Sequence, residues 1–315
     1  RVRLGMHVGT DAVSVHTSFN ITAELGKFAQ GTDGNFDFDV REAYASTDLM
    51  GYATLSAGRM ALNLGSGRVI GVNDWTNEKG NTWDGFMFAI NNDFADIHFG
   101  YASASDTMVN FDAAGMILNI GKDMGDMSFN ATYVSQSEDV SSSDMTMMAL
   151  EAAYGMSNGV NLSLGYYTGD NGTDESGLTS LGASYGVNDN MSVHVGYDMY
   201  DDNAFYSDMG SFGGANFEFG NALNYADLDG CTDMSFGGSY DMGNMSFGAT
   251  MHNVTKDAVD ATDSAPAVEA RDFSTMEFNL GYTLNDNASF SLNYASNDED
   301  GDDGNQMWIG LHVAF

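Results

Sequence analysis

The stretch that decides the fold is Met307-Trp308-Ile309-Gly310-Leu311-His312-Val313-Ala314-Phe315, the last nine residues of the sequence. Every odd-numbered position carries a large apolar side chain, and the even-numbered positions carry Trp, Gly, His and Ala. Successive side chains of a β-strand point to opposite faces, so this period of two predicts a strand with one apolar face. The same alternation recurs at residues 127–133, 160–166, 191–199 and 276–284. We therefore expect a chain built almost wholly of strands.

The composition supports an all-β class in which apolar and polar residues alternate. Hydrophobic residues make up 43% of the chain, yet its mean hydropathy is −0.23. Only one Pro occurs in 315 residues, Pro266, and Pro lacks the N–H donor that a sheet ladder needs. No run of apolar residues approaches the roughly 18 that a transmembrane helix requires, whereas about 9–11 residues suffice for a strand of a transmembrane barrel.

The charge balance restricts the partners. The chain has 45 acidic residues against 10 Lys and Arg, a net charge of −35, which opposes binding to nucleic acid or anionic lipid. It suits an acidic pore, a calcium-rich surface or a high-salt habitat. Cys231 is the single cysteine, so an internal disulfide is excluded. We therefore expect no nucleic acid among its partners.

The connections between the strands alternate between short and long. Short turns rich in Asn, Asp and Gly, such as residues 9–12 and 285–287, alternate with long loops, such as residues 64–82 and 200–226. Short turns on one side and long loops on the other are typical of an outer-membrane barrel, whose polar face lines water.

The strand count predicts a transmembrane antiparallel up-and-down β-barrel of 16–18 strands, with short periplasmic turns, long extracellular loops and a single domain over residues 1–315. The sequence gives 17 strands, whereas a bacterial barrel needs an even number. We expect 18, with a first strand upstream of this sequence. The alternative is 16, with residues 1–8 outside the wall.

A family resemblance lies in residues 36–84. The matching runs are residues 40–44 (Val-Arg-Glu-Ala-Tyr), 57–63, 67–71, 73–75 and 82–85. They resemble the alginate-export-like group of Gram-negative outer-membrane porins, and the strand that ends in Phe315 resembles the last strand of such barrels. The resemblance implies an 18-stranded barrel in the cell outer membrane of a Gram-negative bacterium, with basic residues in its lumen.

This stretch also holds the candidate constriction. Arg41, Arg59 and Arg68 cluster here, and a guanidinium stays charged and can meet a carboxylate through two hydrogen bonds. The loop at residues 65–81 is long enough to fold into the lumen, with Trp75 as an anchor. Such ion pairs could brace the wall or set selectivity, and the sequence leaves both open. The predicted pore-lining or constriction residues are Arg41, Arg59, Arg68, Asp74, Asp84, Asp96, His98, His194 and Asp198.

The other motifs point to little additional chemistry. Asp298, Asp300 and Asp302 are weak calcium-ligand candidates, but the EF-hand pattern fails because Asp303 and Ile309 stand where it needs Gly and Glu. The Gly-x-Ser-x-Gly match at residues 155–159 lies between two alternating segments, which favours a hairpin over a nucleophile elbow. Apart from calcium we predict no cofactor, and we predict no catalytic residue and no enzyme activity.

These observations predict a passive diffusion channel for small hydrophilic solutes, which prefers cations because acidic groups raise their local concentration. We expect outer-membrane lipid, small hydrophilic solutes and ions as its partners, and a homotrimer as a candidate assembly. One alternative is a structural or surface-anchoring outer-membrane barrel whose acidic loops bind calcium. Another is a soluble, secreted β-sandwich or solenoid, in which the same apolar face would form a dry core.

Overall fold

The strands of the protein form a single antiparallel sheet. The computed structural model describes residues 2–10, 12–23, 36–72, 82–106, 111–138, 145–205, 207, 228–256, 258, 270–299 and 304–313. Within these ranges no helix is long and apolar enough to cross a membrane. The strands are β1 Val2–Gly9, β2 Val13–Ala23, β3 Phe36–Asp48, β4 Ala53–Met60, β5 Trp83–Ile90, β6 Asp96–Asp106, β7 Phe111–Met124, β8 Met127–Glu138, β9 Met145–Gly155, β10 Val160–Asp170, β11 Glu175–Asn188, β12 Met191–Tyr200, β13 Thr232–Met242, β14 Met245–Lys256, β15 Arg271–Asn285, β16 Ala288–Glu299 and β17 Gly304–Val313.

The ladders follow the order of the sequence. Each strand pairs antiparallel with the next, from β1–β2 to β16–β17, which is the up-and-down order predicted from the sequence. Because β1 pairs with β2 along its whole length, residues 2–9 belong to the wall, and the 16-stranded alternative that left them outside is wrong. No ladder joins β1 to β17 in the described residues, and the 18-stranded wall with an upstream strand stays a prediction.

The two faces of the sheet differ in character as the alternation predicts. On β12, Val193 and Val195 are exposed on the outward face, and His194 and Asp198 lie on the other, which we call the lumen face. Cross-strand pairs preserve this division, because Val195 stands opposite Phe236 on the next strand. Apolar side chains are thus presented outward along the wall, as a lipid-embedded barrel requires.

Part of the lumen face is nevertheless apolar, which the alternation alone did not predict. Towards the long loops, Ile117, Val134, Met147 and Leu178 are almost completely buried, and they form one cluster with side chains of the connection between β4 and β5. The sequence does carry a signal for this cluster, since adjacent apolar residues such as Ile117-Leu118 and Met147-Met148 make both faces of a strand apolar.

The predicted asymmetry of the connections is present. The connections after odd-numbered strands, such as residues 125–126 and 243–244, are short, whereas those after β4 and β12 span residues 61–82 and 201–231. The short turns and the long connections therefore lie at opposite ends of the strands. This arrangement leaves the long connection after β4 free to enter the space enclosed by the lumen faces.

Candidate pore constriction

The connection after β4 turns inward and lies against the lumen face. Its residues 64–70 form a tight turn, closed by a hydrogen bond from Leu64 N–H to the Ile70 carbonyl at 3.1 Å. Gly65 and Gly67 have φ of 58° and 82°, a region that other residues rarely adopt. Val69 and Ile70 are buried in the apolar cluster of the wall. We call residues 64–70 the inward turn.

The tip of the inward turn is held by the carboxylate of Glu151 on β9. The Ser66 N–H donates to both carboxylate oxygens, at 3.2 and 3.1 Å, and the Tyr167 hydroxyl donates to Oε1 at 2.8 Å. The hydroxyls of Ser66 and Tyr167 are 3.2 Å apart. A Cβ at Gly65 would collide with Glu151 Oε2, so a side chain at this position would displace the carboxylate from the turn.

A second contact joins the inward turn to β12. Arg68 Nη2 donates to Asp198 Oδ2 at 2.8 Å and to Ser180 Oγ at 3.4 Å, and its guanidinium lies 5.2 Å from the ring centroid of Tyr167. Burial by itself would lower the pKa of Arg68, but the charge of Asp198, its hydrogen bond to Arg68 and the nearby Tyr200 and Tyr167 together act against burial, and the net shift of the pKa is upward. Arg68 is therefore a permanent cation with its charge matched by Asp198.

A cavity of about 1060 Å³ lies beside the inward turn, on the side of the short turns. Small polar side chains make up much of its wall, including Ser128, Asn130, Asn161, Ser163, Ser180, Ser184 and Ser235. Its charged lining residues are Arg68, Asp96, Lys122, Asp123 and Glu151, and His194 also lines it. Such a wall can hydrate polar solutes and place fixed charges beside their path.

The predicted site residues on the lumen face fall into two groups. Arg68, Asp96 and His194 line the cavity, and Asp198 pairs with Arg68. Arg41 is the extra residue of a bulge opposite Ser18 and Phe19, and its Nη1 lies 2.7 Å from Glu42 Oε2. Ser18 Oγ donates to the same oxygen at 2.8 Å. Arg41 therefore belongs to a polar cluster that braces β2 against β3, apart from the residues that line the cavity.

Arg59 and Asp84 lie elsewhere than the sequence predicted. Two hydrogen bonds join them: Arg59 Nε donates to Asp84 Oδ1 at 2.9 Å, and Arg59 Nη2 donates to Asp84 Oδ2 at 2.6 Å. Their cross-strand neighbours two positions along are Ala57 and Phe86, which are exposed on the outward face. The adjacent Met60 and Trp83 take the lumen face and are buried. The prediction that Arg59 and Asp84 line the pore is therefore corrected.

The remaining predicted residues lie either apart from the cavity lining or outside the described residues. His98 is half-buried on β6 and stands opposite Asn119. Asp74 and Trp75 lie outside the described residues, as do Asp300 and Asp302, and Asp298 is exposed near the end of β16. In the described ranges, no group of three His, Cys, Asp or Glu side chains could hold a metal ion.

Comparison with known proteins assigns the family. The model of the Gram-negative porin family matches residues 1–229. The chain belongs to the Gram-negative porin family. The resemblance to Gram-negative outer-membrane porins is therefore confirmed, and membership of the alginate-export-like group stays a prediction. This porin resides in the outer membrane of a Gram-negative bacterium, where the family and fold make it a channel for small solutes.

Solved structures share the fold of this porin at low sequence identity. Pseudomonas aeruginosa OpdK, solved with vanillate, is 12% identical, with 99% of this chain and 91% of that chain covered and a TM-score of 0.71. Acinetobacter baumannii OccAB2 is 14% identical, with 98% and 88% covered and a TM-score of 0.67. Wzi, an Escherichia coli outer-membrane protein of capsule assembly described as a carbohydrate-binding β-barrel, is 9% identical, with 99% and 78% covered and a TM-score of 0.64. No curated protein matches the sequence of this porin.

Sequence reasoning missed the two residues that hold the tip of the inward turn, Glu151 and Tyr167. Glu151 did leave a signal, because it is the one charged residue of β9 and shares its face with Ala149 and Ala153. A lone carboxylate among the small and apolar residues on the lumen face of a porin strand indicates a group aimed at something in the lumen. Tyr167 left a weaker signal, as the second of two adjacent tyrosines on β10.

Proposed function

We propose that this porin is a passive diffusion channel for small hydrophilic solutes and that it prefers cations. The observation that carries the preference is the environment of Glu151 at the tip of the inward turn. Its carboxylate accepts hydrogen bonds from neutral donors, the Ser66 N–H and the Tyr167 hydroxyl. In the part of the chain that the structure describes, no Lys or Arg side chain pairs with it. Its negative charge thus acts on solutes in the adjoining cavity.

The other charges of the cavity support the same preference. The guanidinium of Arg68 is matched by Asp198 at 2.8 Å. The other charged lining residues are the carboxylates of Asp96, Asp123 and Glu151 and the ammonium of Lys122. Lys122 Nζ donates to the Asp93 carbonyl at 3.1 Å and lies over the Phe94 ring, near a short turn. An excess of carboxylates along a narrow aqueous path concentrates cations and repels anions.

Reversal potentials in planar bilayers test the proposal. Under a gradient of potassium chloride, the wild-type channel should pass potassium in preference to chloride. Glu151→Gln keeps the acceptor for Ser66 and Tyr167 but removes the charge, so it should reduce the preference while the barrel still folds. Glu175→Gln, an exposed position at the long-loop end of β11, is the matched control and should behave as the wild type.

The same recordings separate the alternatives. A clear chloride preference of the wild type would contradict the proposed selectivity and leave the channel itself intact. Absence of any conductance in correctly folded barrels would instead favour the structural or surface-anchoring function with calcium-binding acidic loops. In that case calcium titration of the purified barrel would be the next measurement, with loss of binding in a variant at Asp298, Asp300 and Asp302.

A further inference from the structure

A histidine lies between two carboxylates on the lumen face of this porin. His252 on β14 has its Nδ1 2.8 Å from Asp233 Oδ2 on β13 and its Nε2 4.0 Å from Glu277 Oε2 on β15. His252 and Asp233 are 1% exposed, and Glu277 is 4% exposed. We call these three residues the histidine cluster. They do not line the cavity, so their function is separate from the selectivity proposed for Glu151.

The positions of the two carboxylates suit a protonated ring. A neutral imidazole has one N–H, whereas the imidazolium has an N–H at both nitrogens and a positive charge. A carboxylate buried away from water is costly unless it is paired and hydrogen-bonded. Protonated His252 places a cation beside both Asp233 and Glu277. The neutral ring would supply no charge to either carboxylate and an N–H to only one of them.

The histidine cluster adjoins the ion pair that anchors the inward turn. Asp233 stands directly opposite Asp198 across the β12–β13 ladder, and Asp198 is the partner of Arg68 at 2.8 Å. Like charges directly opposite each other destabilise a sheet. These two carboxylates therefore need a cation on each side, which is Arg68 for Asp198 and protonated His252 for Asp233.

The surroundings of the two aspartates make the charge of His252 important. In the described part of the chain, Asp198 Oδ1 and Asp233 Oδ1 are buried and accept no hydrogen bond. Within the same ranges, the other ionisable groups whose charge acts at His252 are Asp198 and His194, both on β12. Loss of the proton from His252 would therefore add unbalanced negative charge to a site that is already short of hydrogen-bond donors.

From this geometry we propose that His252 is a proton-binding site that controls how firmly the inward turn is held. With the proton bound, His252 balances Asp233 and leaves Arg68 to Asp198 alone. When the proton passes to bulk water, both aspartates compete for Arg68, and water must enter the wall to hydrate them. The inward turn is then held less firmly. This site goes beyond the proposed cation preference and does not depend on it.

Amide hydrogen exchange of the refolded chain in lipid tests the site. His252→Gln keeps a hydrogen-bonding side chain but cannot become a cation, so it imitates the neutral ring. At about pH 6, below the ordinary histidine pKa of about 6.5, residues 64–70 should exchange several-fold faster in this variant than in the wild type. At about pH 9 the two proteins should exchange alike. Equal exchange at about pH 6, or a difference that persists unchanged at about pH 9, would overturn the proposal.

Urea unfolding provides a second readout, which requires no channel activity. The unfolding midpoint of the wild type should fall as the pH rises from about 6 to about 9, because the imidazolium stabilises the folded barrel only while it keeps its proton. Asp233→Asn with His252→Gln removes both charges and should largely abolish this dependence. His312→Gln, an exposed position on β17, is the matched control and should keep it. The same pH dependence in the double variant as in the wild type would overturn the proposal.

Discussion

Arg68 and Asp198 are 130 residues apart in the sequence, and their side chains meet at 2.8 Å inside the barrel. One belongs to the inward turn and the other to the wall on β12, so this ion pair ties the connection after β4 to a distant strand. Both residues are nearly fully buried. A buried pair is costly to break because the remaining partner keeps an uncompensated charge.

Removal of one partner should therefore destabilise the barrel more than removal of both charges. Arg68→Met leaves the Asp198 carboxylate buried and unpaired, and we expect a loss of about 3–5 kcal/mol in the free energy of unfolding. The double variant Arg68→Met with Asp198→Asn should recover much of that loss. Urea unfolding of the refolded barrels in lipid measures both values, and equal losses in the two variants would contradict an energetically coupled pair.

Gly65 should be the most sensitive position of the inward turn. Gly65→Ala introduces a Cβ that collides with Glu151 Oε2 and also meets Asn130 Oδ1 at 2.7 Å, and its φ is 58°. We expect displacement of the turn, seen as a changed single-channel conductance and more open-channel noise. The control is Gly172→Ala, which has a similar φ of 80° but nothing within 4 Å of the added Cβ. It bears the backbone strain alone and should leave conductance unchanged.

Tyr167 should act through Glu151. Tyr167→Phe removes the hydroxyl that donates to Glu151 Oε1 at 2.8 Å but keeps the ring beneath Arg68. Loss of this charge-assisted hydrogen bond should cost about 1.5–3 kcal/mol of local stability and loosen the tip of the inward turn. Amide hydrogen exchange of the Ser66 N–H should become faster, while Tyr166→Phe, on the outward face of the same strand, should leave it unchanged.

Two adjacent residues on β7 should respond differently to truncation. Ile117 is buried in the apolar cluster of the lumen face, whereas Leu118 is exposed on the outward face. Ile117→Ala leaves a cavity and should cost about 2–5 kcal/mol. Leu118→Ala loses contacts with fluid lipid, which can fill the space, so its cost in the same urea unfolding experiment should be smaller. A larger cost for Leu118→Ala would contradict the assignment of the two faces.

The sequence predicted which residues form strands and, along most of the wall, which side of each strand is apolar. That success follows from local geometry, since a period of two fixes the face of every residue once one is known. The same rule identified a polar face rich in Ser, Asn and Gly as the wall of an aqueous space. The prediction failed at Arg59 and Asp84, because it followed their charge to the lumen, whereas the alternation with Ala57 and Phe86 places them on the outward face.

By itself, then, the sequence determined the class of fold, the alternation of short turns with long connections, and the membrane setting, because each depends on residues close together in the chain. Only the tertiary structure decided that Glu151, Tyr167 and Asp198 converge on the inward turn, since curvature of the sheet and the path of one connection bring them together. Side chains on β9, β10 and β12 meet residues 66 and 68 across the lumen, and no periodicity along a strand encodes a distance across the space it encloses.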